Sequence, residues 1–128
     1  MARLRLFLAI LAIAAIPWTA VAQTGETISI SLTDHAFSPA SLVMKAGTVY
    51  RLHFINAGSK NHNFTASEFF AASQLAPDDQ AKVKRGTIAV DKGQEVEVAV
   101  TPVAGSYPFT CTRFMHKMMG MHGSITVQ

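Results

Sequence analysis

Between residues 26 and 33 the polar side chains of Thr27, Ser29, Ser31 and Thr33 alternate with the apolar Ile28, Ile30 and Leu32, the period-two pattern of a half-buried strand. The alternation returns over residues 48–56, where Tyr50, Leu52 and Phe54 oppose Val49, Arg51, His53 and Ile55. Residues 41–45 read as a short edge strand closed by Ala46-Gly47. Further strands are expected at 86–90, 94–101, 106–111 and 124–127, with His62 opening another. Asp91-Lys92-Gly93 and Val103-Ala104-Gly105 supply turns between them. About seven short strands separated by such turns predict an all-β, antiparallel sandwich. One stretch departs from the pattern. Ser67 stands as an N-cap before Glu68-Phe69-Phe70-Ala71-Ala72, and Pro77-Asp78-Asp79 leads into residues 80–84. A short helical insertion of one or two helices is therefore expected at residues 67–84, on the side of the sandwich.

The first residues follow a different logic. Met-Ala-Arg-Leu-Arg precedes an uncharged apolar run over residues 6–16, and Pro17-Trp18-Thr19-Ala20-Val21-Ala22 ends in a small-x-small triplet. These are the parts of a secretory signal peptide. The run is about 11 residues, against roughly 20 for a membrane-spanning helix. An uncleaved anchor is the rival reading, which Pro17 and the Ala20-Val21-Ala22 ending weigh against. The expectation is a signal peptide at 1–22, export to the periplasm, no membrane span in the mature protein, and one domain at 23–128, a size that supports a single core. Removal of Arg3 and Arg5 lowers the formal charge from +3 to about +1. Beyond Lys82, Lys84 and Arg85 there is no basic run, so nucleic acid is not an expected partner.

Cys111 is the chain's one cysteine, which excludes an internal disulfide and leaves a thiol to be explained in an exported protein. Its neighbours explain it. Cys111-Thr112-Arg113-Phe114-Met115-His116-Lys117-Met118-Met119-Gly120-Met121-His122-Gly123 carries a thiolate, an imidazole and a thioether spaced Cys-x4-His-x4-Met. The segment lies between two expected strands, so its loop can turn all three side chains toward one point. Asn61-His62-Asn63-Phe64 offers a second imidazole at the start of another strand. A thiolate and two imidazoles with a weak thioether suit a copper ion that cycles between two oxidation states. Zinc also takes Cys and His, but a structural zinc site adds a fourth strong ligand, and the segment contains no second Cys and no Asp or Glu. Met118, Met119 and His122 compete with Met121 for the axial place. Gly120 favours Met121 by letting the chain turn inward just before it. His53, in a regular strand, and His35, in a turn beside Asp34, read as surface or packing residues, and Phe69 and Phe70 as core.

At these residues the chain resembles the small blue-copper proteins of the cupredoxin (plastocyanin/azurin) family. The resemblance runs over residues 26–128. It is carried by Phe37-Ser38-Pro39 with Gly47 and the strand at 50–56, by His62-Asn63, by Gly105-Ser106-Tyr107-Pro108-Phe109-Thr110-Cys111, and by His116 with Gly120-Met121-His122-Gly123. The Cys-x4-His-x4-Met loop is similar to that of rusticyanin. The resemblance implies a Greek-key β-sandwich, His62, Cys111 and His116 as equatorial ligands of one type 1 copper ion, and Met121 as the axial one. It further implies that Asn63 tethers the ligand loop through Thr112 or Thr110, and that His116, flanked by Met115 and Met118, is the partly exposed port for electrons. The implied function is one-electron transport between periplasmic redox partner proteins by a monomer. Copper capture, storage or delivery to other proteins is the alternative, motivated by Met115, Met118, Met119 and His122. An enzyme is not expected: copper oxidases and nitrite reductases need further copper centres and another domain, and no hydrolase nucleophile motif is present.

Overall fold

A computed structural model of the chain describes residues 25–114 and 119–128. The expected signal peptide, 1–22, lies outside those residues. Along the chain run β1 (Glu26–Leu32), β2 (Phe37–Ser38), β3 (Ser41–Met44), β4 (Tyr50–Asn56), β5 (His62–Thr65), α1 (Ser67–Ala72), β6 (Gln74–Leu75), a 3₁₀ turn (Pro77–Lys82), β7 (Thr87–Val90), β8 (Glu95–Thr101), β9 (Gly105–Thr110) and β10 (His122–Val127). The strands form two five-stranded sheets, in the orders β2-β1-β4-β8-β6 and β3-β10-β9-β5-β7.

The sandwich expected from the alternating pattern is thus present, with two parallel pairings inside it. β1 pairs with β4 and β3 with β10 in parallel, while the remaining pairs are antiparallel. The physical cause is the route of the chain between β1 and β4. It leaves the first sheet to place β3 in the second, then returns running in its original direction. A local alternation of side chains reports which face is buried but carries no record of that crossing.

Burial follows the alternation. Ile30, Leu32, Leu52 and Phe54 of the first sheet have no exposed surface, and Phe64, Val90 and Ile125 of the second are equally closed. Phe64 sits in the middle of this core. Its ring centroid lies 4.7 Å from those of Phe54 and Phe109, 5.7 Å from Phe37 and 6.1 Å from Phe70, separations at which aromatic pairs attract beyond their area of burial.

The helical insertion at 67–84 is present as α1 and the 3₁₀ turn, with Phe69 and Phe70 buried as expected. The cap differs from the sequence expectation. Ala66 occupies the N-cap position without a side-chain bond, and Ser67 is the first helical residue. The Ser67 hydroxyl points instead toward the Arg85 carbonyl at 3.5 Å. The 3₁₀ turn is tied to β8 by Asp79, whose carboxylate accepts from the Ala99 amide (2.8 Å) and the Lys82 ammonium (2.6 Å). Burial raises the Asp79 pKa, but these bonds outweigh it and leave the carboxyl below its usual range. Among the described residues no helix is long and apolar enough to cross a membrane.

Candidate metal centre

His62, Cys111 and Met121 each have 0% of their surface exposed. His62 opens β5, Cys111 follows the end of β9, and Met121 precedes β10. Two sets of bonds draw these strand ends together. The Cys111 amide donates to the Met121 carbonyl at 3.0 Å, and the Thr110 hydroxyl donates to the same carbonyl at 3.0 Å. Asn63 and Thr112, the residues that follow His62 and Cys111, exchange two more: the Thr112 amide donates to Asn63 Oδ1 and Asn63 Nδ2 donates to Thr112 Oγ1, both at 2.9 Å. The tether expected from Asn63 therefore goes to Thr112. Thr110 serves the other side of the loop.

Gly120 has φ of +100°, a left-handed conformation that side chains disfavour, and the chain turns there to send Met121 inward. Met119, by contrast, is 48% exposed, and His122 is exposed. Of the rival thioethers and imidazoles in the described residues, Met121 alone is enclosed beside Cys111. His116, the third equatorial ligand expected from the sequence, lies outside the described residues, as do Met115 and Met118. Within the described residues no three His, Cys, Asp or Glu side chains converge. His53 and His35 are placed as expected: His53 Nε2 meets Glu95 Oε2 at 2.7 Å on the outer face, and His35 is exposed in its turn.

The structure adds a support that the sequence reading missed. His62 Nε2 lies 3.0 Å from Asp34 Oδ1, on the turn between β1 and β2 of the opposite sheet. Asp34 also accepts from the Ser59 amide at 2.9 Å and the Ser59 hydroxyl at 2.6 Å. The Ser59 hydroxyl bond, with those from His62 and the Ser59 and Lys60 amides, outweighs desolvation and holds the Asp34 carboxyl well below the usual carboxylate range.

The Ser59 loop is itself pinned by Asn56, a buried side chain that donates to the Lys60 carbonyl (2.9 Å) and the Val90 carbonyl (2.8 Å) and accepts from the Gly58 amide (2.9 Å). The available signal was Asn56-Ala57-Gly58-Ser59, a run of turn formers just ahead of a histidine. Asn56→Ala strips all three bonds from buried or half-buried groups, and a stability loss of about 2–3 kcal/mol is expected in urea denaturation. A loss below about 0.5 kcal/mol would show that the loop is held by other means.

Comparison with known proteins gives the family. A model of the cupredoxin-like domain matches residues 6–127. Auracyanin-B of Chloroflexus aurantiacus is 30% identical over 110 residues, covering 72% of this chain and 47% of the relative. The chain thus spans about half the length of that curated relative. Among solved structures, one of auracyanin B superposes with a TM-score of 0.60 at 25% identity, covering 84% of this chain and 93% of the other. Reduced auracyanin from Roseiflexus castenholzii superposes with a TM-score of 0.61 at 22% identity over 80% of this chain and 96% of the other, a likeness of fold. With a family model that spans nearly all of its length, two sheets packed as a sandwich, and a Cys–Met loop at the end of the second sheet, the chain belongs to the cupredoxin-like family.

Proposed function

We propose that the protein is a type 1 copper protein that carries one electron at a time between protein partners in the periplasm, with one copper ion held by His62, Cys111, His116 and Met121. The observation that carries this reading is the enclosure of an imidazole, a thiol and a thioether, all without exposed surface, at strand ends bonded to one another. A soft thiolate and thioether with borderline imidazoles is a donor set suited to copper in both oxidation states. When bound, the copper supplies the one-electron chemistry.

The chain's residues supply rigidity and exclusion. The Asn63–Thr112 exchange and the Cys111–Met121 backbone bond hold the donors from two directions, so their positions change little between redox states. Burial keeps water from competing for the ion and lowers the dielectric around the thiolate. Cleavage at Ala22, export and a monomeric state belong to the same proposal, as does the absence of catalysis.

Copper capture or delivery is the second reading, favoured by the exposed Met119 and His122 beside the loop. Reductive cycling in the presence of a copper(I) chelator separates the two. Electron transport predicts colour that bleaches and returns with copper retained. Quantitative loss of the ion to the chelator on the first reduction contradicts it and supports delivery.

A further inference from the structure

We propose that Asp34 is a positioning residue for the metal centre, fixing the ring of His62 with Nδ1 toward the ion and setting the copper(II)/copper(I) balance through its charge. The inference rests on the reading of His62 as a copper ligand. It starts from the 3.0 Å contact between Asp34 Oδ1 and His62 Nε2. An ionised carboxylate only accepts hydrogen bonds, so Nε2 carries the proton, and in the neutral ring the lone pair is on Nδ1. A carboxylate on the far nitrogen of a ligating histidine makes that ligand more basic and fixes its orientation.

Three further features belong to this arrangement. Asp34 is oriented by the Ser59 amide and hydroxyl, which bind both of its oxygens. Its turn is closed by Thr33, whose amide donates to the Ala36 carbonyl at 2.9 Å and whose hydroxyl accepts from the Ala36 amide at 3.2 Å. Gly58 leaves the room the contact needs: a Cβ there would stand 2.5 Å from Asp34 Oδ1 and 2.7 Å from His62 Nε2. The carboxylate belongs to one sheet's turn and the imidazole to the other sheet's strand, so the bond fixes the ring across the end of the sandwich. The Asp34 side chain is 27% exposed, and its charge is therefore only partly screened at the ring.

A negative charge bound to the ligand favours copper(II) over copper(I). Removing it raises the reduction potential. Asp34→Asn keeps the size and an accepting oxygen for His62 but removes the charge. Asp34→Ala removes both, and Gly58→Ala pushes the two groups apart. In copper-loaded protein, all three are expected to weaken copper(II) binding by about 10–100-fold. Each tenfold loss in excess of that for copper(I) raises the potential by about 59 mV. The visible thiolate-to-copper band is expected to persist, because Cys111 is untouched.

If Asp34→Asn and Gly58→Ala fold, keep the band and leave the copper(II) affinity within about twofold and the potential within about 18 mV of the parent, the one-electron equivalent of twofold, the proposal is overturned and Asp34 only braces the Ser59 loop. Absence of the band from the parent protein overturns the copper reading first, and the positioning role with it. Asp34→Ala, the variant most exposed to loss of loop structure, is read through thermal denaturation of the apoprotein beside the potential, and the Asn variant decides if it does not fold.

Discussion

Replacing Cys111 by serine is expected to abolish the intense visible absorption of the copper-loaded protein and to lower its copper(II) affinity by at least about 100-fold. The figure is a floor. Losing an outer partner of a metal ligand costs up to about 100-fold in affinity, and losing a ligand itself costs no less. A serine hydroxyl is hard and remains protonated, whereas the thiolate is the soft donor that carries the strong electronic transition and the covalent route for the electron. Cys111 has no exposed surface, so the hydroxyl that replaces it is also kept from water. Circular dichroism of the apoprotein distinguishes a folded variant that has lost its donor from an unfolded one. A folded serine variant with an undiminished band would remove Cys111 from the centre.

The second large effect concerns the scaffold. Phe64→Ala is expected to cost about 3–5 kcal/mol, the range for emptying the place of a buried aromatic ring, out of a total stability of about 5–15 kcal/mol. Phe64 touches Phe37, Phe54, Phe70 and Phe109 at once, so the surrounding core cannot collapse into the cavity by moving one neighbour. The position is also two residues from His62 on β5, as Phe109 is two residues from Cys111 at the end of β9. A cavity there loosens the base of both proposed donors, and slower, less complete copper loading should accompany the loss in stability. Urea denaturation of the apoprotein provides the measurement. A change below about 1 kcal/mol would mean that this cluster is not the keystone of the core.

Much of this was legible in the residues, for a physical reason. Where one face of a strand is buried and the other wet, side chains record the fact every second residue, and β1, β4 and β8 stand out accordingly. The two-residue strands β2 and β6 are too short to carry a period. The parallel pairing of β1 with β4 depends on the path of the intervening chain, which no local pattern encodes. The proposed donors Cys111 and Met121 stand out in the sequence because soft side chains spaced along one loop have few other uses, and both are fully buried. Asp34 was not readable. It sits 28 residues before His62 in what the sequence presents as an ordinary polar turn, and only the packing of one sheet's turn against the first histidine of the other sheet gives it a partner. Ser67 illustrates the opposite error: a good capping residue that the structure places one position inside the helix, with Ala66 at the N-cap.

Whether one copper ion is held by a cysteine-containing centre on this sandwich is decided by titrating copper(II) into the purified protein while recording the visible spectrum. An intense band is expected that rises linearly and saturates at one copper per chain. Binding with only the faint absorption of copper on imidazole and carboxylate, or no saturation at one equivalent, would contradict it.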